Sequence, residues 1–250
     1  MSIPKTDVVV VVGAMVAFFS GYSPAQTADP ASRPSGDIVY QSPAHSRGNT
    51  RVDGGIVRGP ANDLPALYIL APNDDGHTLA EQPRVFWYLS RPTNAPLVLT
   101  LMPDDPNAKD PLLEINLDAT KSGIQSFDLA QSHVKLEPGV GYQICLALKP
   151  EKNHGATDVF RSAEIERVEA PYSLVAQMLA TPDPMEKARL LARNGMFYDA
   201  LKLVTSQIEA NANDRTWREQ RASLLDQVGL AEVADFDRAA VPDVHLSMAP

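Results

Sequence analysis

The apolar residues of this chain change period once, near Pro171. From Leu64 to about Val168 they fall in short runs. From there to about Leu230 they recur every three to four residues. A side-chain period of two belongs to strands and a period of 3.6 to helices, so the order predicts strands first and helices second. The strand-like runs are 64–70, 84–90, 96–102, 112–117, 124–129, 141–148 and 158–168. Turn chemistry separates them: "PNDDGH", "RPTN", "PDDPNAKDP", "DATKSG", "EPGVG" and "KNHG". Short strands at this spacing predict an α+β chain: an immunoglobulin- or fibronectin-like antiparallel β-sandwich over 64–170, followed by a small helical region over 171–230.

One run breaks the rule for a half-wet strand. In "RVFWYLS" (84–90), Val85, Trp87 and Leu89 point one way, and Phe86 and Tyr88 the other. Both faces are apolar, so both need cover, and the downstream helices are the available second layer. In "LEPGVGYQICL" (136–146), Pro138 and Gly139 precede Tyr142, and Ile144 and Leu146 alternate after it. This resembles a tyrosine corner, in which the ring packs inside and the hydroxyl bonds backbone a few residues upstream.

The helical region carries its own punctuation. Asp183 is a candidate N-cap, Pro184 suits the first helical position, and Gly195 stops the helix. Phe197, Leu201, Val204 and Ile208 then form one stripe. Trp217, Leu224, Leu225 and Val228 form another, between Asp214 and Gly229. Residues 172–180 suit a further short helix. "ARNGMFYDAL" resembles a tetratricopeptide helical hairpin, but no second copy follows, so these helices should pack on the strands or on one another. Residues 231–250 read as a tail.

The N-terminal text is of another kind. Lys5 precedes an uninterrupted apolar run from Val8 to Phe19, and Ser23 and Ala25 suit the −3 and −1 positions of a signal-peptidase site. As a helix that run spans roughly 18 Å, short of a hydrocarbon core of about 30 Å. Residues 1–25 are thus expected to be a cleaved secretory signal. The mature chain would be periplasmic or extracellular, with no membrane span. Residues 26–63, rich in Pro, Ser, Gly and Arg, read as a flexible leader in which only 37–40 could form a short strand.

Composition narrows the function. A formal net charge of −9 disfavours nucleic acid and mildly favours a cationic partner surface. Cys145 is the only cysteine, so neither an intramolecular disulfide nor a Cys-based metal cage can form, and a buried thiol is expected. The chain has no phosphate loop, nucleophile elbow, His-Glu-x-x-His or Cys-x-x-Cys. His45, His77, His133, His154 and His245 stand apart in sequence. The acidic stretches "NDDGH" (73–77) and "PDDPNAKD" (103–110) lack calcium-loop spacing and read as turns. No catalytic, cofactor-binding or metal residue is singled out, and no cofactor is expected.

The residues expected to organise the structure are Trp87, Tyr142, Phe197, Tyr198, Leu201 and Trp217. The expected function is an exported, non-enzymatic interaction module whose partner is another envelope protein. Loops 73–82 and 103–110 are the first places to look. A carbohydrate-binding module is an alternative, and needs Trp87, Tyr88 or Trp217 exposed. A hydrolase is another, and needs a pocket between sandwich and helices holding a His and two carboxylates.

The motifs "LYILAPNDDGHTLAEQPRVFWYL", "GVGYQICLALKP", "AEIERV" and "NGMFYDALKLV…NDRTWREQRASLLDQVGL" occur in an order that resembles the domain of unknown function 928 family of bacterial exported proteins. The resemblance runs from about 39–43 to 227–230. That family often has Trp at the place of Phe197 and a Cys closing the Gly–Tyr strand; here Lys149 and Pro150 follow that strand. The resemblance implies the architecture and brings no catalytic residues.

Overall fold

The computed structural model describes residues 36–43, 51–52, 64–149 and 159–240. The expected signal, most of the leader, and His45, His154 and His245 lie outside them. The chain is α+β. Among the described residues eight strands run in order: β1 (Leu67–Ile69), β2 (Gly76–Thr78), β3 (Arg84–Leu89), β4 (Leu97–Pro103), β5 (Leu113–Leu117), β6 (Gly123–Asp128), β7 (Gly141–Leu148) and β8 (Val159–Arg167). Five helices follow: α1 (Tyr172–Ala180), α2 (Pro184–Arg193), α3 (Phe197–Ala210), α4 (Arg215–Gln227) and α5 (Ala231–Ala239).

The strands form a three-stranded sheet, β1-β3-β6, and a five-stranded sheet, β2-β8-β7-β4-β5. Among the described residues five of the six strand pairings are antiparallel, but β2 runs parallel to β8, with Gly76 opposite Ile165. The expectation of a purely antiparallel arrangement is corrected there. Residues 73–77, expected to be wholly a turn, open this additional strand with their last two, Gly76 and His77. The sheets touch where Arg161 of β8 donates to the Leu67 carbonyl of β1 at 2.7 Å.

Both faces of β3 are buried. Val85, Trp87 and Leu89 are at most 3% exposed, and so are Phe86 and, nearly, Tyr88 at 5%. The Phe86 and Tyr88 face lies under helices. Arg84, on the same face, makes a bidentate pair with Glu209 of α3 at 2.7 and 2.9 Å, and the Tyr88 ring meets Phe236 of α5 at 5.0 Å. Burying an aromatic pair of this kind is worth more than its area alone, so the cover is energetically as well as sterically part of the fold.

The helix ends follow the local chemistry. Asp183 accepts from the Met185 and Glu186 amides, Asp214 accepts from the Thr216 amide, and Gly195 and Gly229 take the left-handed conformation that ends a helix. Phe197, Leu201, Val204 and Ile208 are all buried, as are Leu224, Leu225 and Val228.

Two expectations need correction. Residues 231–239 are helix α5, not tail. The helix is short, and its signal is masked because its anchor is polar: Asp237 is fully buried and takes a bidentate pair from Arg221 of α4 at 2.6 and 2.7 Å. The leader is also not uniformly flexible. Residues 36–43 form no strand but lie extended across the helices. Gln227 accepts from the Tyr40 amide and donates to the Ile38 carbonyl, both at 2.8 Å, and Gln220 accepts from the Ile38 amide at 2.7 Å. Ile38 is wholly buried, and Arg51 donates to the carbonyls of Ala71 and Val228. Side-chain amides that satisfy an extended backbone do the work of a sheet without its periodicity.

Candidate functional site

The first turn of α3, Phe197–Tyr198–Asp199, docks the helices onto the strands. Phe197 meets the Tyr40 ring edge-on at 5.2 Å. Tyr198 lies over Gly76 of β2 so closely that a Cβ there would stand 2.3 Å from its ring, and its hydroxyl donates to the Glu164 carbonyl at 2.8 Å. Burial pushes the Tyr198 hydroxyl far above the usual tyrosine range. The Asp199 carboxylate accepts from the Leu79 amide at 2.9 Å and from the Thr78 hydroxyl. Burial is the largest influence on it and raises its pKa above the ordinary carboxylate value.

On the outer side of that turn lies a groove of about 340 Å³. Leu79, Met178, Leu191 and Leu203 give it an apolar lining, and Asp199, Ser206, Lys187 and Lys202 add polar groups. It thus draws on α1, α2, α3 and the end of β2. Beside it, α1 buries only Leu174 and leaves Tyr172 88%, Leu179 83% and Val175 40% exposed. These three stand at i, i+3 and i+7, so they form one stripe around the helix from Met178. Helix α1 has no charged residue. An exposed apolar stripe beside an apolar groove is the signature of a surface that another molecule covers.

Among the described residues one carboxylate, Asp199, lines the groove and already accepts two hydrogen bonds, and no histidine lines it. Among the described residues, no three His, Cys, Asp or Glu side chains gather as a metal set.

The residues singled out from sequence lie mostly elsewhere. Trp87, Tyr142, Phe197, Tyr198 and Leu201 are core, and Trp217 is half-buried against it. The Tyr142 hydroxyl accepts from the Glu137 amide at 2.9 Å, five residues upstream. Trp87 and Tyr88, the aromatics a glycan platform would need, are covered. Of the two loops expected to face partners, 103–110 is largely exposed and closed by Asp105, which accepts from the Asn107 amide. Segment 73–82 is packed instead: it contains β2, and Asp75 is 2% exposed. Cys145 is buried, which pushes its thiol up to about 11. Sequence reading did not single out Lys187, Leu191, Lys202 or Leu203. Each looks like an ordinary helix position, and only the packing of α2 beside α3 brings them together.

A family model described as Domain of Unknown Function (DUF928) matches residues 45–237. No curated protein matches the chain. Among solved structures, a multi-domain immunophilin from Arabidopsis thaliana aligns with 80% of this chain and 99% of its own, at 8% identity and a TM-score of 0.17, which carries no argument about fold or activity.

Proposed function

We propose that this chain, which belongs to the Domain of Unknown Function (DUF928) family, is an exported interaction module of the cell envelope that binds another protein and performs no chemistry of its own. In this reading residues 1–25 are a signal that is removed. The two sheets face one another as an immunoglobulin-like sandwich, and the helices, arranged in the manner of tetratricopeptide hairpins, present the docking face. The observation that carries the proposal is the apolar groove between α1, α2 and α3 with the bare α1 stripe beside it. A rigid sandwich supports such a face, and the function then resides in the face rather than in the fold.

A photo-crosslinking residue at position 179, compared with one in the exposed loop at position 107, tests this in exporting cells. The expected result is a discrete adduct from position 179 that Leu203→Asp removes, and none from position 107. Identical patterns from both positions would overturn the docking face. Cytoplasmic retention with residues 1–25 still attached would overturn the export.

A further inference from the structure

Building on that docking face, we infer that its occupant is one amphipathic helix of a partner protein, apolar along one side and flanked by carboxylates. The groove is ruled by helix spacing. Asp199, Lys202, Leu203 and Ser206 stand at i, i+3, i+4 and i+7 of α3, and Lys187 and Leu191 at i and i+4 of α2. These are the ridges of two neighbouring helices, and the furrow between such ridges receives the ridge of a third. An extended peptide would find little to pair with, because helix backbones in mid-course have spent their amides and carbonyls on themselves.

Charge selects the flanks of that helix. Neither Lys187 nor Lys202 forms a salt bridge among the described residues; Lys202 lies in the field of Asp199, whose carboxylate is hydrogen-bonded by Leu79 and Thr78. The groove therefore offers two ammonium groups against one largely buried carboxylate beside an apolar lining, on a molecule whose net charge is −9. The local sign is opposite to the global one. At this site the complementary partner surface is therefore anionic, whereas net charge alone mildly favours a cationic one. A partner with carboxylates placed over Lys187 and Lys202 gains at the groove, whereas a second copy of this chain meets the repulsion of like net charges.

The test uses the full mature chain and two synthetic amphipathic peptides. They share a helical backbone with Leu at i, i+4 and i+7 and differ only in carrying Glu or Lys on the flanks. Fluorescence anisotropy should show the Glu peptide binding about tenfold or more tightly than the Lys peptide, with the preference shrinking as salt is raised. Lys187→Glu with Lys202→Glu should invert that preference, and Leu203→Asp should weaken both. Equal affinities, no binding of the Glu peptide at about millimolar concentration, or a preference unchanged in the double variant would overturn the acidic helix. So would self-association in sedimentation that Leu203→Asp dissolves, since the occupant would then be a second copy. An adduct at position 179 that survives those failures keeps the docking face and discards only this occupant; loss of both discards both.

Discussion

Gly76 and Tyr198 meet at the closest approach between strands and helices. A methyl group on residue 76 would stand 2.3 Å from the Tyr198 ring, and that ring is fully enclosed with its hydroxyl bonded to Glu164. Gly76→Ala should therefore cost about 1–3 kcal/mol or more, as overpacking does. Tyr198→Phe, which keeps the ring and loses one bond, should cost about 1 kcal/mol. Urea denaturation of both variants checks the order. Asp199 makes a different prediction. Its folded pKa is raised, so the folded state holds the proton more tightly than the unfolded one. The stability this lends is present at low pH and is lost as pH rises through the raised value. Asp199→Asn removes that dependence, so its stability relative to the parent should improve as pH rises above the ordinary carboxylate range. A variant whose stability relative to the parent instead falls as pH rises would contradict the assignment of burial as the dominant influence. Cys145 is protected in the same physical sense: with its thiol pushed up to about 11, it should react slowly with a disulfide reagent at neutral pH in the native protein, and rapidly once denatured.

Helix α5 illustrates what an element needs from its neighbours. It is nine residues long and too short to persist alone. It is held by Asp237 against Arg221 and Arg218, and it in turn places Phe236 over Tyr88. Asp237→Ala leaves a buried guanidinium without its partner and should cost about 3–5 kcal/mol. The helix should then come off the strand: Tyr88 becomes accessible to solvent, and amide exchange rises in α5 and not in α2. The extended segment 36–43 makes the same point. Ile38→Ala should cost about 2–5 kcal/mol even though it lies in a stretch of leader-like composition, because the side chain is entirely enclosed. Strands β3 to β8 and helices α1 to α4 were legible within a residue or three, because alternation, caps and turn residues are local signals. Strand β2, helix α5 and the ordered leader were not. Their stability comes from Tyr198, Asp237 and Gln227, each of which is polar or far away in the sequence.

For the whole molecule, one continuous core joins residues of both sheets, all five helices and Ile38. Sheets and helices should therefore unfold together. Trp87 emission, which reports the sheet, and the far-ultraviolet helical signal should give coincident urea transitions. Iodide should quench Trp217, which is half-buried, and spare Trp87, which is 3% exposed; Trp87→Phe should remove the protected fraction.

Sequence by itself determined the order of strands and helices, the positions of most turns and caps, the need for cover on both faces of β3, and membership of the family. Those are properties of neighbours within a few residues, or of periodic patterns that any packing must satisfy. Tertiary structure alone decided which helices provide the cover, that β2 enters the sheet in parallel, and that Lys187 and Lys202 share a groove. These outcomes turn on contacts between residues far apart along the chain. Whether a buried carboxylate, a missing Cβ or a lysine counts for or against a fold depends on what packing places opposite it, and no local pattern carries that information.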